Sequence, residues 1–546
     1  MPSPRLADVE LGYDYVVVGA GSAGCVLANR LTADGRHSVL LLEAGGSDRR
    51  FWIRVPIGYG RTFYDPRVNW MYRTEPVPGL GNRISYWPRG KVLGGSSSIN
   101  AMVYIRGQRE DYDDWAALGN PGWSWVEVLP YFKRAECNTF GADDWHGAGG
   151  PLRVTDVSRE AHPLCQVFLE GCRELGYPVS RDLNGADCEC VGLYQITTHR
   201  GIRVSAASAY LHPARRRRNL RVLTDVRVAR VVFEGGRAVG VEFMRDGQRQ
   251  LARTAREVIL TAGAINSPQL LQLSGVGPGA LLQSHGIPVV HESPAVGRNL
   301  QDHLGIDYLY RSRLPTLNNQ LHPWWGKLWA GTRYLMLRRG PLALSVNQGG
   351  GFVRTRPGLS RPNLQLYFSP VSYIKAPPGT RPLMNPDPYP GFLLGHSVCR
   401  PTSRGYLQIR SADPFAPPAI HPHYLSTDED LAEMLDGVRF LRRLAATAAM
   451  TGLIDAELVP GPTVVDEEAL IGDIRQRCGT VFHPVGTCAM GPDPQRAVVD
   501  HNLKVHGLEG LRVIDASVFP HVPSGNTNAP TMMVAEKGAD LVLDER

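Results

Sequence analysis

Apolar residues near the start of the chain fall into two short unbroken runs, YVVV at 15–18 and VLLL at 39–42, with a helix-compatible stretch between them. The pattern predicts a strand, a helix and a second strand. Between the first run and the helix lies GAGSAG, with glycines at Gly19, Gly21 and Gly24. Gly19 permits a tight turn, Gly21 has no Cβ to hold the backbone away from a pyrophosphate, and Gly24 lets the helix lie close on the strand. The helix N-terminus, from Ser22 onward, offers free N–H groups and the positive end of its dipole to phosphates. Glu43, closing the second run, is placed to accept hydrogen bonds from ribose hydroxyls. The unit predicts a bound dinucleotide and leaves nicotinamide and flavin equally open. Its alternative is a glycine-rich turn with no ligand.

Further along, the pattern changes three times. Residues 45–125 are rich in Gly, Pro and aromatics with little periodicity, and are predicted to be loops over a site. Residues 220–232 and 238–244 alternate around EGGR, which predicts a hairpin, and 257–261 is a short buried-strand candidate. Residues 263–273 predict a turn followed by a short helix. From 300 to about 480 the chain has Pro-rich joints, strand candidates at 363–368 and 406–410, and a helical stretch at 427–449, read as a substrate-side domain. Residues 511–514 predict a strand ending at Asp515 and returning to the N-terminal sheet, and 530–543 predict a helix.

Composition narrows the function classes. The chain has 546 residues, 43% of them hydrophobic and 20% charged, which suits a globular protein of two or three structural units. Net charge is +7, but the basic residues are spread out, so no nucleic-acid partner is expected; the dense run at 215–218 is read as a solvated loop. The N-terminal MPSPRLADVELG has no apolar signal region and nowhere do 18 apolar residues run together, so a soluble, cytoplasmic product without a transmembrane segment is expected. Nine cysteines form no CxxC pair, and Cys188 and Cys190 are too close for the usual zinc spacing. Reduced thiols and no structural metal are expected.

Several residues could carry chemistry. Gly94, Gly95, Ser96, Ser97, Ser98 and Asn100 form a second small-residue loop, suited to a bulky planar or phosphorylated ligand or to a linker. His483, in FHPVGTC, stands where an imidazole can be held rigidly as a general base, or where a structural histidine would serve. Asn526 and Asn528 precede a helix, as caps or as amides aimed at a substrate oxygen. Asp515 either bonds a cofactor hydroxyl or caps the next turn. His303, in NLQDH, is read as structural.

Together these motifs say more. GAGSAG, PRGKVLGGSSSIN, GAINSPQLLQLSGVG at 263–277, PAVGRNLQDH at 294–303, HPVGTCAMG and SGNTNAPTMMVAEKGAD occur in this order. The set resembles the glucose-methanol-choline (GMC) family of FAD-dependent alcohol oxidoreductases over nearly the whole chain. The resemblance implies a fold class of α/β, α+β overall. A Rossmann-like FAD-binding domain would be assembled from 1–155, 221–300 and 481–546. A substrate domain with an antiparallel sheet and helices would take 156–220 and 301–480.

It also implies oxidation of a primary alcohol to the aldehyde. A histidine, matched by His483, would take the hydroxyl proton while hydride passes to flavin N5, and Asn526 would hydrogen-bond the substrate oxygen. Implied FAD contacts at the front of the chain are Gly19, Gly21, Ser22, Glu43, Arg89, Gly94, Gly95, Asn100 and Val103. Further on they are Val226, through its backbone, with Asp515, Ala516, Asn526 and Thr527. Some members bind FAD covalently through a histidine in the GGxSSxN loop; Ile99 stands there in this chain, so non-covalent FAD is expected. The partners implied are a small-molecule alcohol and an electron acceptor, whether a quinone, another acceptor or O2. Trp324, Trp325, Trp329 and Tyr373 lie in the expected substrate region, where choline would need an anionic or aromatic cage. Bulky neutral or aromatic primary alcohols are equally open, as is oligomeric state. Competing readings are a redox-silent or photochemical homologue, such as a hydroxynitrile lyase or fatty acid photodecarboxylase, and a non-catalytic flavoprotein. An NAD dehydrogenase would leave the 94–100 loop and the C-terminal motif unexplained.

Overall fold

The computed structural model describes residues 12–373 and 385–545; the N-terminal stretch read above for a targeting signal lies outside them. Two seven-stranded sheets organise these residues. The first begins with the two apolar runs, realised as strands Gly12–Val18 and Val39–Leu42, paired in parallel with the helix Ser22–Leu31 between them. Tyr15 to Val18 and all of Val39–Leu42 are buried, as strands covered on both faces must be.

Leu220–Leu223 adds in parallel beside Val39–Leu42, and Gln248–Leu260 adds in parallel on the other side of Gly12–Val18. The expected strand at 257–261 is thus the end of a much longer one. Its beginning pairs antiparallel with Arg237–Arg245, which forms the predicted hairpin with Arg227–Glu234 across Gly235 and Gly236. Residues 220–232 are not one segment. Asp225 has φ 58°, and the turn there sends Leu220–Leu223 and Arg227–Glu234 to opposite sides of the sheet. The late strand Leu511–Val513 pairs in parallel with the end of Gln248–Leu260, so the chain does return to its first sheet. Helix Asn528–Leu543 follows and packs on Ser22–Leu31. Its Glu536 is fully buried and pairs with Arg30 at 2.7 Å and Arg134 at 2.8 Å, tying the last helix to the first.

The second sheet is antiparallel. Its order is Ile454–Val459, Leu304–Ser312, Gly391–Val398, Leu364–Ser369, Gly349–Val353 and Val191–Leu193, with Gly479–Thr480 also on Leu304–Ser312. The expected strand at 363–368 is Leu364–Ser369, and that at 406–410 is the shorter Tyr406–Gln408 of a separate two-stranded ribbon. Helix Asp428–Ala445 packs against Gly391–Val398. Thr427 caps it, acids fill its first turn and Arg442 and Arg443 its last, all favourable to the helix dipole.

The stretch 45–125 is only partly loop. It holds the helix Arg109–Ala117, whose Gln108 and Asp111 form a reciprocal capping box. Its low hydrophobicity hid it, since only Tyr112 and Trp115 bury apolar bulk there. Run 215–218 lies mostly at the surface, as read. No helix among the described residues is long and apolar enough to cross a membrane.

Candidate active site

The two sheets face each other across a cavity of about 610 Å³. Its first wall lies at the carboxyl ends of the parallel strands, where open α/β sheets place ligands. Val18, Gly19, Gly21, Leu42 and Glu43 line it there. Gly19 has φ 105°, a conformation open to glycine at little cost. A Cβ on Gly24 would collide with the carbonyl oxygen of Gly19, so the close helix–strand approach read from the motif is real. A Cβ on Gly21 would meet only the Thr261 carbonyl at 3.8 Å, which leaves this turn open toward the cavity. The helix behind it starts without a side-chain cap. Glu43 accepts from the N–H groups of Ala20, at 2.9 Å, and Gly45, at 2.8 Å. Burial nevertheless pushes its carboxyl up to about 7.

The 94–100 loop is a tight turn folded onto this wall, not a free linker. Gly94 and Gly95 have φ 86° and 52°, and a Cβ on Gly95 would stand 2.7 Å from Gly21 Cα, so the two glycine motifs pack on each other. Asn100 Oδ1 accepts from Met102 N at 3.1 Å and from Arg203 at 2.8 Å. Arg203, absent from the motif reading, also donates to the carbonyls of Ile53, Ser97 and Pro56, so one buried guanidinium staples the loop. Val103 and Val226 line the cavity, and Val226 N donates to the Glu43 carbonyl at 3.0 Å.

Asp515 does cap: its carboxylate accepts from Ser517 N at 2.8 Å, Gly263 N at 2.8 Å and Ser267 Oγ at 2.6 Å, beside the cavity-lining Ala516. Neither Asn526 nor Asn528 is a cap. Thr527 holds that position, and Asn528 Oδ1 accepts from Ser22 Oγ at 2.8 Å. The two sequence ends of the wall are thereby joined.

His483 and Asn526 meet at the cavity, with Nε2 and Nδ2 3.2 Å apart. His483 follows Phe482, held at φ 71° in a conformation that non-glycine residues rarely adopt. Arg89 donates to the Phe482 carbonyl at 2.6 Å, and Asp302 accepts from His483 N at 2.7 Å. Burial raises the Asp302 carboxyl to about 6 and pulls the Arg89 guanidinium down to about 10.

His303, read as structural, bonds to His483. Its Nε2 lies 2.9 Å from the Cys399 carbonyl, which can only accept, so that nitrogen carries a proton. Burial pulls the His303 imidazole down to about 4, so the ring is neutral and its Nδ1 is a lone pair. His483 Nδ1, 3.0 Å away, must therefore donate to it. Burial, with His303 and Arg89 close by, holds His483 well below the ordinary imidazole range. Its Nε2 is then the unprotonated, basic nitrogen and accepts from Asn526 Nδ2. Asn526 Oδ1 in turn accepts from Gln365 Nε2 at 3.3 Å.

Profiles for GMC oxidoreductases match residues 13–305 and 401–535. The chain belongs to the GMC oxidoreductase family. It is 46% identical over 540 residues to the mitochondrial choline dehydrogenase of Mus musculus, covering 97% of this chain and 89% of that protein. With the alcohol dehydrogenase [acceptor] of Pseudomonas putida it shares 43% identity over 535 residues, covering 97% and 96% of the two chains. Among solved structures, pyridoxine 4-oxidase from Mesorbium loti superposes with TM-score 0.88 at 31% identity, over 98% of this chain and 100% of that one. As a GMC oxidoreductase the chain is a flavoenzyme that binds FAD and acts on CH–OH donors.

The second wall of this GMC oxidoreductase is made by side chains of the antiparallel sheet: Asp307, Tyr367, Ser369 and Leu393, joined by Tyr373. Trp324, Trp325 and Trp329 do not belong to it. They lie on the outside of helix Trp324–Leu337 and are 72%, 63% and 69% exposed. They fall within residues 300–480, read above as the substrate side, but the rings point away from the cavity. His303, Asp302, Gln365 and Arg203, which bond to His483, Asn526 or Asn100, were not among the predicted site residues. NLQDH contained the first two, while nothing local marks Gln365 or Arg203.

Proposed function

We propose that this chain oxidises a primary alcohol to the aldehyde with non-covalent FAD, His483 acting as the base and Asn526 as the amide that holds the substrate oxygen. The observation that carries the reading is the hydrogen-bond chain from the Cys399 carbonyl through His303 to His483 and Asn526. It leaves His483 with a fixed tautomer and one basic nitrogen at the cavity.

The first wall fits FAD. The open turn at Gly21, the uncapped helix behind it and the carboxylate of Glu43 would hold the ADP half, with Ser22, Val226, Asp515 and Ala516 around it. Arg89, Gly94, Gly95, Asn100, Val103 and Thr527 would flank the isoalloxazine half. FAD, when bound, supplies the acceptor for the carbinol hydride. An alcohol oxygen bonded to Asn526 Nδ2 would lie within reach of His483 Nε2, which takes its proton. The imidazolium so formed would be stabilised through Nδ1–H by His303, as a partnered base generally is. Asn526 has no basic nitrogen, so His483 has no substitute. Ile99, an aliphatic side chain buried between Ile53, Val68 and Val92, offers no atom for a covalent flavin link.

The test is His483→Ala. Anaerobic flavin reduction by a good alcohol substrate should slow by about 10²- to 10⁴-fold with FAD content unchanged. Reduction at the wild-type rate would remove His483 from the chemistry. Acid precipitation should release yellow flavin into the supernatant, whereas flavin retained in the pellet would contradict non-covalent binding.

A further inference from the structure

Helix Trp324–Leu337 is built inside out. Its buried residues are Ala330 and Tyr334, one ridge at i and i+4, while its large apolar side chains face water. Met336 is 78% exposed, and Leu328, Leu335 and Leu337 join the three tryptophans on that outer surface. A contiguous exposed patch of this kind marks an interaction site. The cluster beneath the helix contains Val346 and Tyr373, which also line the cavity, so the helix covers the outside of a cavity wall.

Charge identifies what this face meets. No acidic residue occurs in the sequence between Asp307 and Asp387, whereas Arg311, Arg313, Lys327, Arg333, Arg338 and Arg339 do. Glu160, from elsewhere in the chain, stands 3.6 Å from Arg333 and 3.8 Å from Arg339. Among the described residues Lys327 and Arg338 have no carboxylate within ion-pair distance; both are exposed, Arg338 at the edge of the face with its guanidinium over the Tyr334 ring, so the face keeps a positive charge. Trp, Leu and Met beside Lys and Arg on a helix that cannot span is the composition of a segment lying in a headgroup layer. A symmetric pairing with a second copy would bring two positively charged faces together.

We infer that this helix docks the enzyme on an anionic bilayer surface, the tryptophans entering the interface and Lys327 and Arg338 meeting lipid phosphates. The inference does not depend on which alcohol is oxidised.

Cosedimentation of the holoenzyme with vesicles of roughly 7:3 phosphatidylcholine to phosphatidylglycerol tests it. Binding is expected at low salt, weakening at about 0.5 M salt and with phosphatidylcholine alone. The triple variant Trp324→Ser, Trp325→Ser, Trp329→Ser should lose at least about tenfold in vesicle partitioning and keep its turnover of a water-soluble alcohol. Lys327→Glu, which leaves the tryptophans in place, should weaken binding to the anionic vesicles alone and keeps the question open to test if the triple variant does not fold. Three results overturn the inference: no vesicle binding by the wild type, equal binding by all variants, or a wild-type dimer that the triple variant dissolves with no lipid affinity in either.

Discussion

The two walls of the cavity are made of different material. The first is backbone: turns at Gly19, Gly21, Gly94 and Gly95, N–H groups held by Glu43 and Asp515, and strand ends a few residues apart in sequence or joined by one ladder. The second is side chain: Asp307, Tyr367 and Leu393 come from three strands separated by tens of residues and meet through register alone. A backbone wall demands particular residues, chiefly glycine, because a single Cβ would occupy the space. A side-chain wall tolerates exchange, and exchange there alters which alcohol fits. The cofactor side is therefore fixed by geometry and the substrate side is where members of one family can differ.

The sharpest way to break this comparison is Gly24→Val. Its side chain would be driven into the Gly19 carbonyl, which follows directly on the strand Gly12–Val18, with the Thr261 hydroxyl 2.8 Å from the Cβ position. A loss of more than about 3 kcal/mol is expected, seen as absent or flavin-free soluble protein. Tyr367→Phe on the opposite wall, which removes only a hydroxyl bonded to Gln365 at 2.7 Å and Ser397 at 3.2 Å, should leave fold and FAD content intact. If Gly24→Val purified with full flavin, the claim that the first wall is sterically fixed would fail.

His303→Leu comes next. Removing the acceptor for His483 Nδ1–H frees the ring to turn and to present either nitrogen, so the alcohol-dependent reduction rate should fall by about 10²-fold with FAD retained. His303→Asn, whose Oδ1 can still accept, should recover part of the loss. Equal rates in both variants would show that His303 only fills space.

This division also explains what could be read from the sequence. Glycine spacing and short apolar runs are local, so the βαβ unit, the 94–100 loop and the return of Leu511–Val513 were legible; local context singled out His483 and Asn526, and family resemblance supplied the roles expected of them. The break at Asp225 was not, because hydrophobic alternation continues across a turn that reverses the strand's place in the sheet. The outward orientation of the tryptophans at 324, 325 and 329 was not legible either. Aromatic composition says that a segment contacts something, and only the packing of Ala330 and Tyr334 shows which face points inward. Gln365 and Arg203 act through partners more than a hundred residues away, and no local pattern encodes such a pairing.

A third test uses acidity. Burial pulls His303 and His396 down to about 4, and neither ring nitrogen of His396 has a hydrogen-bond partner among the described residues. Unfolded, each would titrate near 6.5, so between about 6.5 and 4 protons bind the unfolded state and not the folded one. Stability should be insensitive to these groups above that window and should fall through it as pH drops, by up to about 3 kcal/mol per histidine. His396, packed on Gly437 and among the residues that line the cavity, can be replaced with His483 and His303 left in place. In His396→Leu the acid limb of a denaturation series should flatten by about that amount; an unchanged limb would mean that His396 is already charged or exposed.

The smallest expected effect concerns the joint within the first wall. Ser22 begins the first helix and Asn528 the last, and their 2.8 Å hydrogen bond spans 506 positions of sequence. A neutral hydrogen bond of this kind contributes about 1 kcal/mol. Ser22→Ala should lower unfolding free energy by about that much, and a double-mutant cycle with Asn528→Ala should return a coupling of similar size. Because both residues also line the cavity, the same variants should speed FAD release, an effect a purely structural contact distant from the cofactor would not produce. Additive losses with unchanged FAD release would show that the two ends of the wall are held by helix packing, with Glu536, Arg30 and Arg134 as the joint that matters.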